Sequence, residues 1–254
     1  EKAHAIHALL QAHAKDSQHG GYFEAFKLNW QRDKTQNIDQ IPGQVGKTMN
    51  THLHLLEAYT TFAQACPEPF ILNVLHELIV LTLEKIVDDC QFRLHFTDDW
   101  QPLHGRGSFG HDIEGSWLLV EAAEVLGDAD LLARCRQTAV LMAENVLTNG
   151  RFSDGSIREN DGETMREWWP QAEALVGFWN AYQLTEDDRF LQATLACWQF
   201  IKQRQIDHQH GEWFWAVDEN GFPQPHEKAG LWKTPYHNGR SCLELLHRLE
   251  RVPE

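Results

Sequence analysis

The chain has 254 residues, enough to bury a substantial core, and its 42% apolar and 23% charged residues are ordinary for a globular protein. A formal charge of −15 without a basic stripe argues against nucleic acid as a partner, because phosphate binding needs a basic face. No apolar run approaches the roughly 18 residues of a membrane span. The opening EKAHAIHALLQAHA lacks the layout of a signal peptide, and the five cysteines are far apart without a CxxC, so a cytoplasmic protein with buried, reduced thiols is expected.

In chain order, GGYFEAF near Tyr22 is a short aromatic run beside a Gly turn, the mark of a small strand or hairpin. The stretch MNTHLHLLEAYTTF from Met49 runs from polar groups into Leu and Ala at helical spacing, and Pro69 to Val87 continues as a second helix. RLHFTDDW near Phe96 repeats the aromatic turn. GHDIEGSWLLVEAAEVL from Gly110 and Asp130 to Thr148 form the next helix pair, followed by GRFSDGS near Phe152. WWPQAEALVGFWNAYQL from Trp168 has Pro170 in its first turn, a favourable place for proline, and Arg189 to Gln205 is its partner helix. GEWFWAVDENG and then YHNGRSCLELLHRL from Tyr236 close the series. The four polar helix openings recur at roughly 60 residues, an internal period typical of stacked or ring-closed helix pairs. A single domain over residues 1–254 is expected.

If the polar openings share one end of such an assembly, His54, His111, Glu114, Trp169, Glu173 and His237 converge on one mouth. His111, Glu114 and Trp117 share a helix face at spacings of three, and Trp169 and Glu173 share one at a spacing of four. For FGHDIE the plain alternative is a capped helix start, with Asp112 and Glu114 complementing the dipole. For Trp169 and Glu173 it is a core tryptophan beside a surface glutamate. Asn50, His54 and Glu57 fall on one side of their helix, while His52 points away from His54, so a two-histidine metal site is not expected there. His4, His7, His13, His19, His208, His210 and His226 are read as incidental. There is no HExxH, GxSxG, P-loop or dinucleotide fingerprint. What remains is proton transfer by histidines near carboxylates among ten tryptophans and fifteen histidines, a composition suited to gripping sugar rings.

Four stretches carry a resemblance: KTMNTHLHLLEAYT, FGHDIEGSWLL, EWWPQAEALVGFWNAYQLTEDDRFL and LWKTPYHNGRSCLELL. In this order they resemble the N-acylglucosamine 2-epimerase superfamily, and within it most the cellobiose 2-epimerases. The resemblance implies an all-α (α/α)6 barrel of helical hairpins with short β-hairpins at one end. It also implies inversion at C2 of a reducing-end sugar with no cofactor, and a disaccharide or monosaccharide as the partner. Carried over by motif, His111 and His237 resemble the acid/base pair and His54 a third site histidine, with His52 as the alternative in that role. Glu114 and Glu173 resemble orienting carboxylates. Asn50, Trp117, Trp168, Trp169 and Trp232 fall at substrate-binding positions. The period accounts for about four of the family's six hairpins, so the resemblance implies a barrel short at its N-terminal side, without that part's substrate-holding arginine. The readings left open are an epimerase, a mannose-type aldose–ketose isomerase and a non-catalytic sugar-binding remnant.

Overall fold

The computed structural model describes residues 1–38, 40–41, 45–103, 105 and 107–250. Among the described residues, eight α-helices are joined by loops and two-residue strands: α1 (Lys2–Leu9), α2 (Met49–Ala65), α3 (Pro69–Leu81), α4 (Phe109–Leu126), α5 (Ala129–Asn145), α6 (Trp168–Thr185), α7 (Asp188–Phe200) and α8 (Tyr236–Glu250). Packing gathers them into two compact units, Glu1–Gly107 with Leu118–Cys135, and Ser108–Trp117 with Arg136–Glu254.

In the first unit α2 and α3 form a hairpin. Thr48 caps α2, its hydroxyl accepting the Thr51 amide, and Pro69 occupies the first turn of α3. Ile71, Val74, Leu75, Leu78 and Ile79 bury the helical stripe that the spacing predicts, and Leu53 and Leu56 lie on the buried face of α2, which packs with α3. β1 (Lys47–Thr48) pairs antiparallel with β4 (His95–Phe96), and β2 (Val87–Asp88) with β3 (Gln91–Phe92).

In the second unit α6 is buried over almost its whole surface from Trp168 to Ala181, and both α7 and α8 pack on it. A helix apolar on nearly every side belongs in a core. α7 contributes Phe190, Ala193, Cys197 and Phe200 at helical spacing. β5 (Arg166–Glu167) pairs with β6 (Ala216–Val217), which puts the 216–217 segment against the start of α6.

One local device recurs four times. The helices ending at Leu9, Leu81, Asn145 and Phe200 each widen into a five-residue π-turn, at Leu10–Ala14, Thr82–Ile86, Val146–Gly150 and Ile201–Gln205. An antiparallel pair follows each: Lys15 with Tyr22, Val87 with Phe92, Arg151 with Ile157, and Ile206 with Trp213. These are the aromatic turns seen in the sequence, and they repeat with the helix pairs. The thiol expectation needs correction. Only Cys135 and Cys197 are buried; Cys66 and Cys90 are half-buried, and Cys242 is exposed. Cys66 ends α2, Cys90 lies in the turn between β2 and β3, and Cys242 falls on the outward face of α8. No described helix is long and apolar enough to cross a membrane.

Candidate functional site

The second unit gathers the N-terminal halves of three helices. α4 brings Glu114 and Trp117, α6 brings Glu173, and α8 brings His237 and Arg240. Both carboxylates have no exposed side-chain surface. Glu173 Oε1 accepts from His237 Nδ1 at 2.7 Å and from Arg240 Nη2 at 2.7 Å, and its Oε2 accepts from the Trp117 indole at 3.1 Å. Glu114 Oε1 accepts from Arg240 Nη2 at 2.6 Å and lies 3.9 Å from His237 Nδ1. Burial alone raises a carboxyl's pKa. At Glu173 the Arg240 charge and the His237 hydrogen bond outweigh it and hold the group below its ordinary value. Glu173 is therefore a buried anion that fixes the His237 tautomer, with the proton on Nδ1.

The ring of His237 also packs against the indole of Trp169 at 5.5 Å, and His111 packs against the same indole at 4.8 Å. Two histidines thus share one aromatic neighbour. Two sequence features set that indole. Gly110 leaves room for it, since a Cβ there would overlap the Trp169 ring. Glu167 accepts its Nε1–H at 3.1 Å. Burial pushes the Glu167 carboxyl up, the Trp169 hydrogen bond opposes this, and the charges of Glu159 and Glu163 add to it.

Ser108 caps α4: its hydroxyl accepts the His111 amide at 3.1 Å and meets His111 Nδ1 at 2.7 Å. The cap is therefore Ser108, and Glu114 is buried against Arg240 rather than complementing the helix dipole. Glu173 likewise is not a surface residue. The start of α8 is anchored by Glu212, which accepts from the fully buried Lys233 at 2.8 Å and from Asn238 at 2.8 Å.

Other expected residues fall in different places. Trp117 and Trp168 are 1% and 3% exposed, so direct sugar contact gives way to a supporting role. Trp117 holds Glu173, and Trp168 packs between Trp215 at 4.5 Å and His237 at 6.3 Å. Trp232 lies just before α8 and is 54% exposed. In the first unit, His52 accepts the Tyr22 amide on Nε2 at 2.9 Å and donates from Nδ1 to the Thr48 carbonyl at 2.7 Å. Its pKa falls to about 4 through burial. Both ring nitrogens are committed, so His52 is structural. His54 has a partly exposed side chain with Nδ1 3.3 Å from Glu57 Oε2. Asn50 presents a buried Oδ1 that accepts no hydrogen bond among the described residues.

Glu114, Glu173 and His237 offer ligand atoms within 4.8 Å of one another. The Arg240 guanidinium already sits on both carboxylates, so a dication would meet a fixed positive charge there. That disfavours a dication at this cluster. Arg240 and Ser108 are the members of this cluster that the sequence did not single out. Arg240 follows His237 by three, a spacing that places both on one helix face and was available as a signal.

A family model described as N-acylglucosamine 2-epimerase matches residues 1–240. The chain is 39% identical over 246 residues to a cellobiose 2-epimerase of Bacteroides fragilis, covering 93% of this chain and 62% of that protein. It is 25% identical over 264 residues to a D-mannose isomerase of Marinomonas mediterranea, covering 95% of this chain and 64% of that one. The solved cellobiose 2-epimerase from Bacillus thermoamylovorans superposes with a TM-score of 0.91 at 34% identity, covering 96% of this chain and 64% of that one. The helical hairpins therefore have the (α/α)6-barrel fold class. The chain spans under two thirds of the length of these relatives.

Proposed function

Because the chain belongs to the N-acylglucosamine 2-epimerase family, we propose that it epimerises C2 of the reducing-end glucose of β-1,4-linked disaccharides, turning cellobiose into glucosyl-mannose. The observation that carries the reading is the His237–Glu173 hydrogen bond beside an indole that also contacts His111. Once the sugar ring opens, the C2 hydrogen is acidified by the adjacent carbonyl. A histidine whose Nδ1–H is held by a buried carboxylate presents Nε2 as its proton-accepting atom, suited to removing that proton. His111, oriented through Nδ1 by Ser108, is assigned the partner role. The proton removed by one imidazole is replaced by the other on the opposite face of a planar enediolate, and C2 is inverted. A proton leaves and a proton returns, with no net change of oxidation state, so the reaction requires no redox cofactor.

Trp169 is the ring platform, and Glu114 with Glu173 fixes the imidazole and guanidinium. On the resemblance alone, His54 is kept as the third catalytic histidine, ahead of His52, both of whose nitrogens are already used, and Asn50 and Trp232 as sugar-binding groups. The cytoplasm is proposed as its compartment on the sequence, whose five cysteines are far apart with no CxxC. The second reading, an aldose–ketose isomerase, draws on the D-mannose isomerase relative.

NMR of cellobiose with the protein in heavy water tests both. The expected result is deuterium at C2 with a mannose-type reducing end, and a rate loss of about 10²–10⁴ in His237→Ala and His111→Ala. A ketose carrying deuterium at C1 selects the isomerase. Binding of cellobiose with no exchange in the wild type rejects catalysis and leaves a sugar-binding remnant.

A further inference from the structure

A second cluster lies in the first unit, where His4 of α1 meets the turn between α2 and α3. His4 Nε2 is 3.3 Å from Glu68 Oε1, Cys66 Sγ is 3.1 Å from the same oxygen, and Cys66 Sγ is 4.0 Å from His4 Nε2. Nitrogen, sulfur and carboxylate oxygen thus form one small triangle. Around a tetrahedral zinc ion the usual bond lengths place such donors about 3.3–3.6 Å apart, so a shift of a few tenths of an ångström brings all three into range.

The donors are held before any ion arrives. Cys66 ends α2 with its amide on the Phe62 carbonyl, and Glu68 precedes α3 with its amide on the Cys66 carbonyl. Pro67 and Pro69 flank Glu68 and fix the turn. The His4 ring stands edge-on to Phe62 at 5.2 Å and tilts against Phe70 at 6.1 Å. The three residues are half-buried, so an ion reaches them from solvent and a water fills the fourth position. His4 and Cys66 stand 62 positions apart, which is why no metal-ligand spacing showed in the sequence.

We propose that His4, Cys66 and Glu68 bind one zinc-class dication, tying α1 to the α2–α3 turn. On binding, the Cys66 S–H bond breaks, its proton passes to solvent, and the thiolate forms the sulfur–metal bond with no electron transferred. Thiolate and carboxylate together neutralise the dication, and the imidazole supplies the borderline ligand that favours zinc over calcium or magnesium. The proposal is independent of the sugar chemistry.

The test is titration with Co²⁺ and then Zn²⁺ under a non-chelating reductant. The expected result is one Co²⁺ per chain, with a thiolate-to-cobalt charge-transfer band that Zn²⁺ displaces. Cys66→Ser abolishes the band, and His4→Ala and Glu68→Gln each weaken binding at least about tenfold. Cys242→Ser, which removes the exposed thiol, leaves it intact. Absence of the band, a band that survives Cys66→Ser, or one indifferent to both His4→Ala and Glu68→Gln overturns the proposal. Circular dichroism of each variant shows that loss of the band is not loss of fold.

Discussion

His52 and His237 each lie in the first turn of a helix that follows a Lys-Thr pair, Lys47-Thr48 before α2 and Lys233-Thr234 before α8. Each donates an Nδ1 hydrogen bond of 2.7 Å. The acceptors differ. His52 donates to a backbone carbonyl, has its other nitrogen filled by the Tyr22 amide, and is fully buried. A carbonyl has no charge to offset burial, so the ring stays neutral down to a pKa of about 4. His237 donates to an ionised carboxylate and retains some exposed surface, and among the described residues its other ring nitrogen is not taken up by a backbone amide as that of His52 is. Residue type and position on the helix are alike; the partner of the ring separates a structural histidine from one equipped to move protons.

The largest expected effect comes from removing what keeps the His237 partner ionised. Arg240→Met leaves Glu114 and Glu173 buried side by side without their shared cation, which is expected to cost about 3–5 kcal/mol in urea unfolding at neutral pH. The double variant with Glu114→Gln should recover part of this loss, because one buried charge is then gone. A loss below about 1 kcal/mol would show that the guanidinium does not hold the site together.

The next effect tests the other member of the pair. The unfolded chain protonates His52 below the ordinary histidine value of 6.5, whereas the folded chain does not until about 4. Stability from this residue is therefore complete above 6.5 and lost as pH falls from 6.5 towards 4, by about 3 kcal/mol in all. His52→Gln keeps an acceptor for the Tyr22 amide and cannot titrate. Denaturant melts across this window should be markedly flatter for the variant than for the wild type, and parallel curves would refute a neutral buried His52.

The helix starts at Met49, Trp168 and Tyr236 were legible because polar groups give way there to Leu and Ala at helical spacing. The aromatic turns were legible from Gly and Asp beside Phe and Trp. His237 and Glu173 are 64 residues apart, so the repeat of polar openings could bring them to one mouth but could not show that they touch. Arg240 was missed because an arginine in a helix's second turn ordinarily points to solvent. The approach of Glu114, 126 residues away, and of Glu173 makes it a largely buried, paired cation. The burial of Lys47 and Lys233 was hidden for the same reason. Each is fully buried beside a carboxylate, Asp16 at 2.7 Å and Glu212 at 2.8 Å, supplied by a turn the sequence does not place next to it. Local pattern fixes which segments are helices, whereas the state of a charged group depends on partners that only the tertiary fold brings.

The smallest effect sharpens that point, because Glu167 is expected to have the opposite pH slope to His52. Burial, followed by the charges of Glu159 and Glu163, raises its carboxyl above the ordinary 4.5 despite the Trp169 hydrogen bond. The folded state therefore takes up this proton at higher pH than the unfolded chain does, and the residue stabilises the fold as pH falls from its raised value towards 4.5. Glu167→Gln keeps an oxygen for the Trp169 indole and removes the charge. At neutral pH it should change stability by less than about 1 kcal/mol, in the stabilising direction, since no ion is left to bury. The gain should fade as pH falls, because the wild-type carboxyl is then neutral as well. If Glu167→Gln instead destabilises at neutral pH and moves the Trp169 fluorescence, the ionised carboxylate is what fixes the indole between His111 and His237. The charge at 167 would then belong with Glu173 and Arg240 among the groups that set the imidazoles.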